Sequence, residues 1–133
     1  MDPATKQQLC DQSIAARQHA YSPYSGFQVG SAVLTESGQI YTGANIENAS
    51  YGLTICAERV AAVSAVADGH RRLKAVAVAS PGGRAPCGAC RQFLVEFADD
   101  MLVLLVDSND PAKISLEKLD KLLPLRFRSS GHE

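Results

Sequence analysis

The sequence predicts a single α/β domain, a mixed sheet with helices on its faces. Three observations carry that expectation. Candidate helices and strands follow one another in the order α-β-β-α-β-α-β-β-α. Two stretches, LKAVAVAS at Leu73–Ser80 and MLVLLVD at residues 101–107, are nearly continuous in apolar residues, as strands covered on both faces are. The length of 133 residues suits one domain, and no internal repeat or long linker divides it.

The elements follow in order. A first helix is expected over residues 3–19, where Asp2 can cap it and Pro3 suits the first helical position. Leu9, Cys10, Ile14 and Ala15 recur there at helical spacing, and YSPYSG at 21–26 breaks the pattern. Residues 27–35 alternate as a strand, with Phe27, Val29, Ser31 and Val33 on one side. Glu36-Ser37-Gly38 is turn chemistry, and residues 39–45 return as the second arm of a hairpin. A polar stretch at 47–54 leads into a helix at about 57–68, ended by Gly69. After Leu73–Ser80 come a loop at 81–86, a helix at about 88–97 and the apolar strand at 101–107. Ser108–Asp110 with Pro111 turns the chain into a short strand around 113–115, and a last helix at 116–123 stops at Pro124. The polar residues from about 128 to 133 read as a mobile tail.

Charge narrows the function classes. Thirteen Lys+Arg against 14 Asp+Glu give a formal net charge of -1, which removes the electrostatic warrant for a nucleic-acid or membrane-surface partner. The amino terminus, MDPATKQQLCDQ, has no apolar core of a signal peptide. The longest apolar run, 101–106, falls far short of the roughly 20 residues that span a bilayer. A cytoplasmic protein is expected, in a reducing compartment where cysteines are metal ligands more often than disulfides.

Three of the four cysteines stand where helices begin. Cys56 opens the second helix in Cys56-Ala57-Glu58, and Cys87 and Cys90 open the third in Pro86-Cys87-Gly88-Ala89-Cys90. Their spacing of three puts the sulfurs of Cys87 and Cys90 on one side of a helical turn, and the intervening strand can bring Cys56 alongside. Three thiolates at two helix amino termini suit zinc, and three protein ligands leave the open position of a catalytic site. Cys10 is expected to be a small buried hydrophobe; its recruitment as a fourth ligand would make the site structural. A disulfide framework is the remaining cysteine reading. Three thiolates around Zn²⁺ leave a formal charge of -1, which Arg59 and Arg91 can offset; Arg59 is expected to hydrogen-bond the thiolates and tune the metal. Glu58 is expected over the open position, taking a proton from water and passing it to a substrate nitrogen. The plainer alternatives are a solvated helix arginine and an acid favoured by the helix dipole.

Cys-x-Glu followed by Pro-Cys-x-x-Cys is the arrangement of the zinc nucleobase deaminases, with Cys where many carry His. From the first helix to Phe127 the chain resembles cytidine deaminases of the small, homotetrameric, three-cysteine zinc type. The resemblance rests on Tyr21-Ser22-Pro23-Tyr24-Ser25, Phe27-x-Val29-Gly30, Gly43-x-Asn45-x-Glu47-Asn48-Ala49-Ser50-Tyr51-Gly52, Cys56-Ala57-Glu58, Pro86-Cys87-Gly88-x-Cys90-Arg91-Gln92 and Leu122-Leu123-Pro124-x-x-Phe127. It implies a three-layer α/β/α fold on a mixed five-stranded sheet, one zinc per chain and a homotetramer with shared active sites. The implied reaction is hydrolytic deamination of cytidine and 2′-deoxycytidine by a zinc-activated water, with Glu58 as proton shuttle, in pyrimidine salvage. Residue by residue, it implies that Asn45 and Glu47 bind ribose hydroxyls, that Phe27 packs on the pyrimidine and that Ala57 reads the base edge through its backbone. It implies further that Tyr51 approaches the ribose 5′ side and that Phe127 enters a neighbouring subunit's pocket. Turn-forming roles for Asn45 and Glu47 and a core role for Phe27 are the plain alternatives. Rival functions are deamination of a related aminopyrimidine nucleoside, of antibiotic type, and a non-catalytic zinc-stabilised binding module.

Overall fold

Asp2 caps α1 (Pro3–Ala16) by accepting the Thr5 amide at 2.7 Å, and Pro3 stands in the first turn. This computed structural model describes residues 1–129; residues 130–133, within the expected mobile tail, lie outside the described residues. A 3₁₀ turn, Arg17–His19, continues α1 to the expected end of the helix. The strands are β1 (Gly30–Thr35), β2 (Ile40–Ala44), β3 (Leu73–Ser80), β4 (Leu102–Asp107) and β5 (Ile114–Lys118). Between them run α2 (Ala57–Ala67) and α3 (Gly88–Val95), and α4 (Leu119–Leu122) follows β5.

The described strands form one sheet in the order β2-β1-β3-β4-β5. Only β3 and β4 run parallel; the other pairs are antiparallel, so the sheet is mixed. Alternation along the strands separates two cores. Val33, Val76, Val78, Val103 and Leu105 join Ala61, Ala62 and Ala65 of α2 and Leu94 and Val95 of α3. Ala32, Leu34, Ala75, Ala77, Ala79, Leu104 and Val106 face the other way, toward Leu9 and Cys10 of α1. The expected three layers are present, with both faces of β3 buried except at Lys74.

Two expectations need correction. Strand pairing was expected from residue 27, but β1 begins at Gly30. The backbone contributes one bond there, from the Asn45 amide to the Val29 carbonyl at 3.2 Å; the Asn45 side chain supplies the rest, accepting the Val29 amide at 3.0 Å and donating to the Phe27 carbonyl at 2.8 Å. The second concerns residues 116–118, expected in the last helix. They belong to β5, whose ladder with β4 runs from Ile114↔Val106 to Lys118↔Leu102, and only Leu119–Leu122 is helical. Pairing with a buried neighbour strand overrides local helix preference.

One end of the sheet is prepared for a site. Ala44, Gly30, Ala79 and Val106 lie in register across four strands, and α2 and α3 both begin beyond that end. Gly43 lets α2 approach: a Cβ there would stand 2.4 Å from the Ala61 nitrogen and 2.7 Å from the Ala57 oxygen. Among the described residues no helix is long and apolar enough to cross a membrane.

Candidate functional site

Cys56 is the N-cap residue of α2 and Cys87 that of α3, and neither side chain caps its own helix. Both sulfurs are therefore free to bind something else. Cys90, fully buried, stands one turn into α3. The fold brings the three sulfurs within 4.8 Å of one another, with Cys56–Cys87 at 3.9 Å and Cys87–Cys90 at 3.3 Å. These distances fit one zinc ion, since tetrahedral ligands at a Zn–S length of about 2.3 Å stand about 3.8 Å apart. The donor set is consistent with one zinc per chain. Cys10 takes no part: it is buried on the α1 side of the sheet, where desolvation and then Asp11 hold its thiol high.

The surroundings favour thiolate at Cys56. Hydrogen bonding with Cys90 pulls its pKa down first, and contacts with Cys87 and Arg59 add to the effect, while burial opposes it. Cys90 moves the opposite way because it supplies the hydrogen to Cys56. Burial works against the charge of Arg59, but its contacts with Cys56 and Cys90 outweigh that and hold the guanidinium above its ordinary range. Its Nε is buried with no hydrogen-bond partner. Arg91 serves elsewhere: it donates to the Pro86 carbonyl at 2.8 Å and the Leu122 carbonyl at 2.7 Å, bracing the approach to Cys87.

Glu58, only 4% exposed, shares a cavity of about 250 Å³ with Cys56 and Cys87. Phe27, Val29, Asn45, Ala57, Val78 and Arg84 also line it. Burial pushes the Glu58 carboxyl up to about 7; the negative Cys56 adds to this, and Arg59 and the backbone amide of Glu58 oppose it. A carboxyl poised near neutrality beside a metal-binding cluster can both accept and return a proton. The space suits a small molecule, mostly apolar in its walls with a few polar groups.

A second hollow adjoins the first and shares Thr54 with it; Tyr24, Ser25, Glu47, Asn48 and Tyr51 form the rest. Here Glu47 accepts the amides of Tyr24 and Ser25 at 3.0 and 3.2 Å and the Ser25 hydroxyl. These bonds lower its pKa, the Ser25 hydroxyl foremost. Ser25 Oγ in turn accepts the Phe27 amide at 3.0 Å. Glu47, Ser25 and Asn45 thus hold the backbone on which Phe27 sits. Tyr51 is 78% exposed, edge-on to Tyr24. Phe127, 75% exposed, lines neither hollow; its carbonyl accepts from Gln92 Nε2 at 3.1 Å. Sequence reasoning missed Arg84, whose only signal was its place just before Pro86-Cys87, and Ser25, which lay unremarked inside a motif.

Comparisons with known proteins agree with this geometry. A family model described as the cytidine and deoxycytidylate deaminase zinc-binding region matches residues 3–106. The chain is 46% identical over 123 residues to a cytidine deaminase of Sporosarcina psychrophila, covering 91% of this chain and 90% of that one. It is 44% identical over 122 residues to a probable cytidine deaminase of Dictyostelium discoideum, with coverage of 90% and 83%. The crystal structure of a cytidine deaminase from Burkholderia pseudomallei matches with a TM-score of 0.87 at 41% identity, over 96% of this chain and 100% of that chain.

Proposed function

The chain belongs to the family of cytidine and deoxycytidylate deaminases, and on that premise we propose that it hydrolyses cytidine and 2′-deoxycytidine to uridine and 2′-deoxyuridine plus ammonia. The observation that carries this reading is Glu58, buried yet cavity-facing, beside three convergent cysteine sulfurs. When bound, zinc supplies a Lewis acid that readies water for attack at neutral pH. Cys56, Cys87 and Cys90 hold it, and Arg59 offsets part of the thiolate charge. Glu58 takes up a proton, delivers it to N3 of the cytosine ring, and then moves a proton to the departing amino group.

The remaining residues orient the nucleoside. Phe27 packs against the pyrimidine, and Ala57, buried at the first turn of α2, reads the base edge through its backbone. Asn45 lines the cavity and Glu47 the adjoining hollow, which supports reading them as the pair that binds the ribose hydroxyls. Asn45 spends an amide hydrogen and an oxygen lone pair on the Phe27–Val29 backbone and keeps one of each for a sugar hydroxyl.

The exposed Tyr51, Leu53, Leu125 and Phe127 support a homotetramer with shared active sites, in which Tyr51 and Phe127 complete a neighbour's pocket. Four free thiols fit a reducing cytoplasm, and the near-neutral charge fits a nucleoside better than a polynucleotide.

Two measurements on one preparation test the proposal: ammonia release across a nucleoside panel, and zinc per chain. We expect one zinc and turnover of cytidine and deoxycytidine. Zinc without turnover of any nucleoside favours the binding module; turnover of another aminopyrimidine alone reassigns the substrate. For the shared site, Phe127→Ala is expected to raise KM, and an unchanged KM would remove Phe127 from the pocket.

A further inference from the structure

Arg84 lies on the loop between β3 and α3 and lines the same cavity as Glu58 and Cys87. Its guanidinium carbon stands 5.4 Å from the centroid of the Phe27 ring, inside the reach of a cation–π contact. Among the described residues its guanidinium pairs with no carboxylate.

The backbone beneath Arg84 is tied down. The Arg84 amide donates to Ser80 Oγ at 3.0 Å, and Ser80 is buried at the end of β3. The Gly83 amide donates to the Ser80 carbonyl at 3.0 Å, and the Gly82 amide to Asp107 Oδ1 at 3.0 Å. Gly83 has a φ of +65°, and a Cβ there would stand 3.3 Å from the Asp107 nitrogen, so the bend suits glycine. This loop, anchored at the ends of β3 and β4, places a cation over Phe27.

Phe27 needs such a contact. Ser25 Oγ holds its amide and Asn45 Nδ2 its carbonyl, which immobilise the backbone and leave the ring free to turn about its side-chain bonds. The ring is only half-buried. The guanidinium lies over its face.

We propose that Arg84 is a positioning residue: it sets the orientation of the Phe27 ring, and through it the plane in which the substrate's pyrimidine lies. This rests on the reading of Phe27 as the aromatic that packs on the base. An exposed cation–π contact is of a size to change binding by about two- to five-fold.

The test uses the zinc-loaded enzyme with Arg84→Met and Arg84→Lys, each in the Phe27 and the Phe27→Leu background. Cytidine deamination gives KM and kcat, and calorimetric binding of the product uridine gives a readout that needs no turnover. Arg84→Met is expected to raise KM and weaken uridine binding by about two- to five-fold, with kcat and zinc content held. Arg84→Lys keeps the cation and is expected to stay near the parent. In the Phe27→Leu background the Arg84→Met effect is expected to shrink toward none. An unchanged KM in Arg84→Met overturns the proposal. So does an equal effect in both backgrounds, which would mean that Arg84 acts on substrate without Phe27, and so does a fall in kcat with loss of zinc, which would mean loop damage. A parent enzyme that neither releases ammonia from cytidine nor binds uridine overturns the functional reading and this proposal together.

Discussion

Replacing Glu58 by Gln separates what burial costs from what the carboxylate does. The group is 4% exposed, and its pKa rises from an ordinary 4.5 to about 7, chiefly through desolvation. That gap is worth about 3 kcal/mol at about 1.4 kcal/mol per pH unit. The sign follows from proton linkage. Between pH 4.5 and about 7 the folded state keeps a proton that the unfolded state has lost, so stability falls as pH rises through this window and then levels. Zinc with three thiolates carries a formal -1, the same sign as the Cys56 thiolate, and leaves that direction intact. Glu58→Gln is neutral throughout and escapes the loss. The variant is therefore expected to be more stable than the parent by under about 1 kcal/mol at pH 5 and about 3 kcal/mol at pH 8. Urea unfolding at equal protein concentration and zinc loading, at both pH values, measures the difference. Turnover in the same variant is expected to fall by at least about 10²–10⁴-fold. Equal stability differences at pH 5 and pH 8 would refute the burial argument. Turnover within tenfold of the parent would refute the proton-carrying role.

Three further outcomes follow from the packing. Gly43→Ala pushes a Cβ into the backbone of α2 at Ala57 and Ala61, so a loss of about 1–3 kcal/mol is expected in thermal melts. Because that turn carries Cys56 and Glu58, zinc retention is expected to drop with it; an unchanged melt shows that α2 can shift freely. Cys90→Ser removes a fully buried sulfur from the cluster and is expected to abolish stoichiometric zinc, read by metal analysis. Cys10→Ser is expected to keep zinc at one per chain while losing about 1–3 kcal/mol for burying a hydroxyl in the α1 core. Loss of zinc in Cys10→Ser would return Cys10 to the ligand set.

The parts of the site that could be read from the sequence are those encoded within a helical turn. Cys87 and Cys90 stand three apart, and Glu58 follows Cys56 at a helix start, so local geometry decides their relation. Cys10 was separable for the same reason, since an apolar helix face sends it to the core. What could not be read lies between segments far apart in the chain. The contact of Arg84 with Phe27 requires β1 to pair with β3, and the binding of Ser25 to Glu47 requires the 22–29 segment to return beside the end of β2. Residues 116–118 went astray because a helical composition was overruled by a ladder to β4.

By itself, the sequence determined the α/β class, the burial of β3 and β4 on both faces and the three-plus-one division of the cysteines. Each is a property of periodicity or spacing over a few residues. The tertiary structure alone decided that α2 and α3 begin at the same end of the sheet, that Gly43 lets α2 close on it, and that Glu58 is buried deeply enough to titrate near neutrality. Those are non-local facts: a pKa depends on how much water the packed neighbours remove, and the chain's local pattern does not contain that quantity.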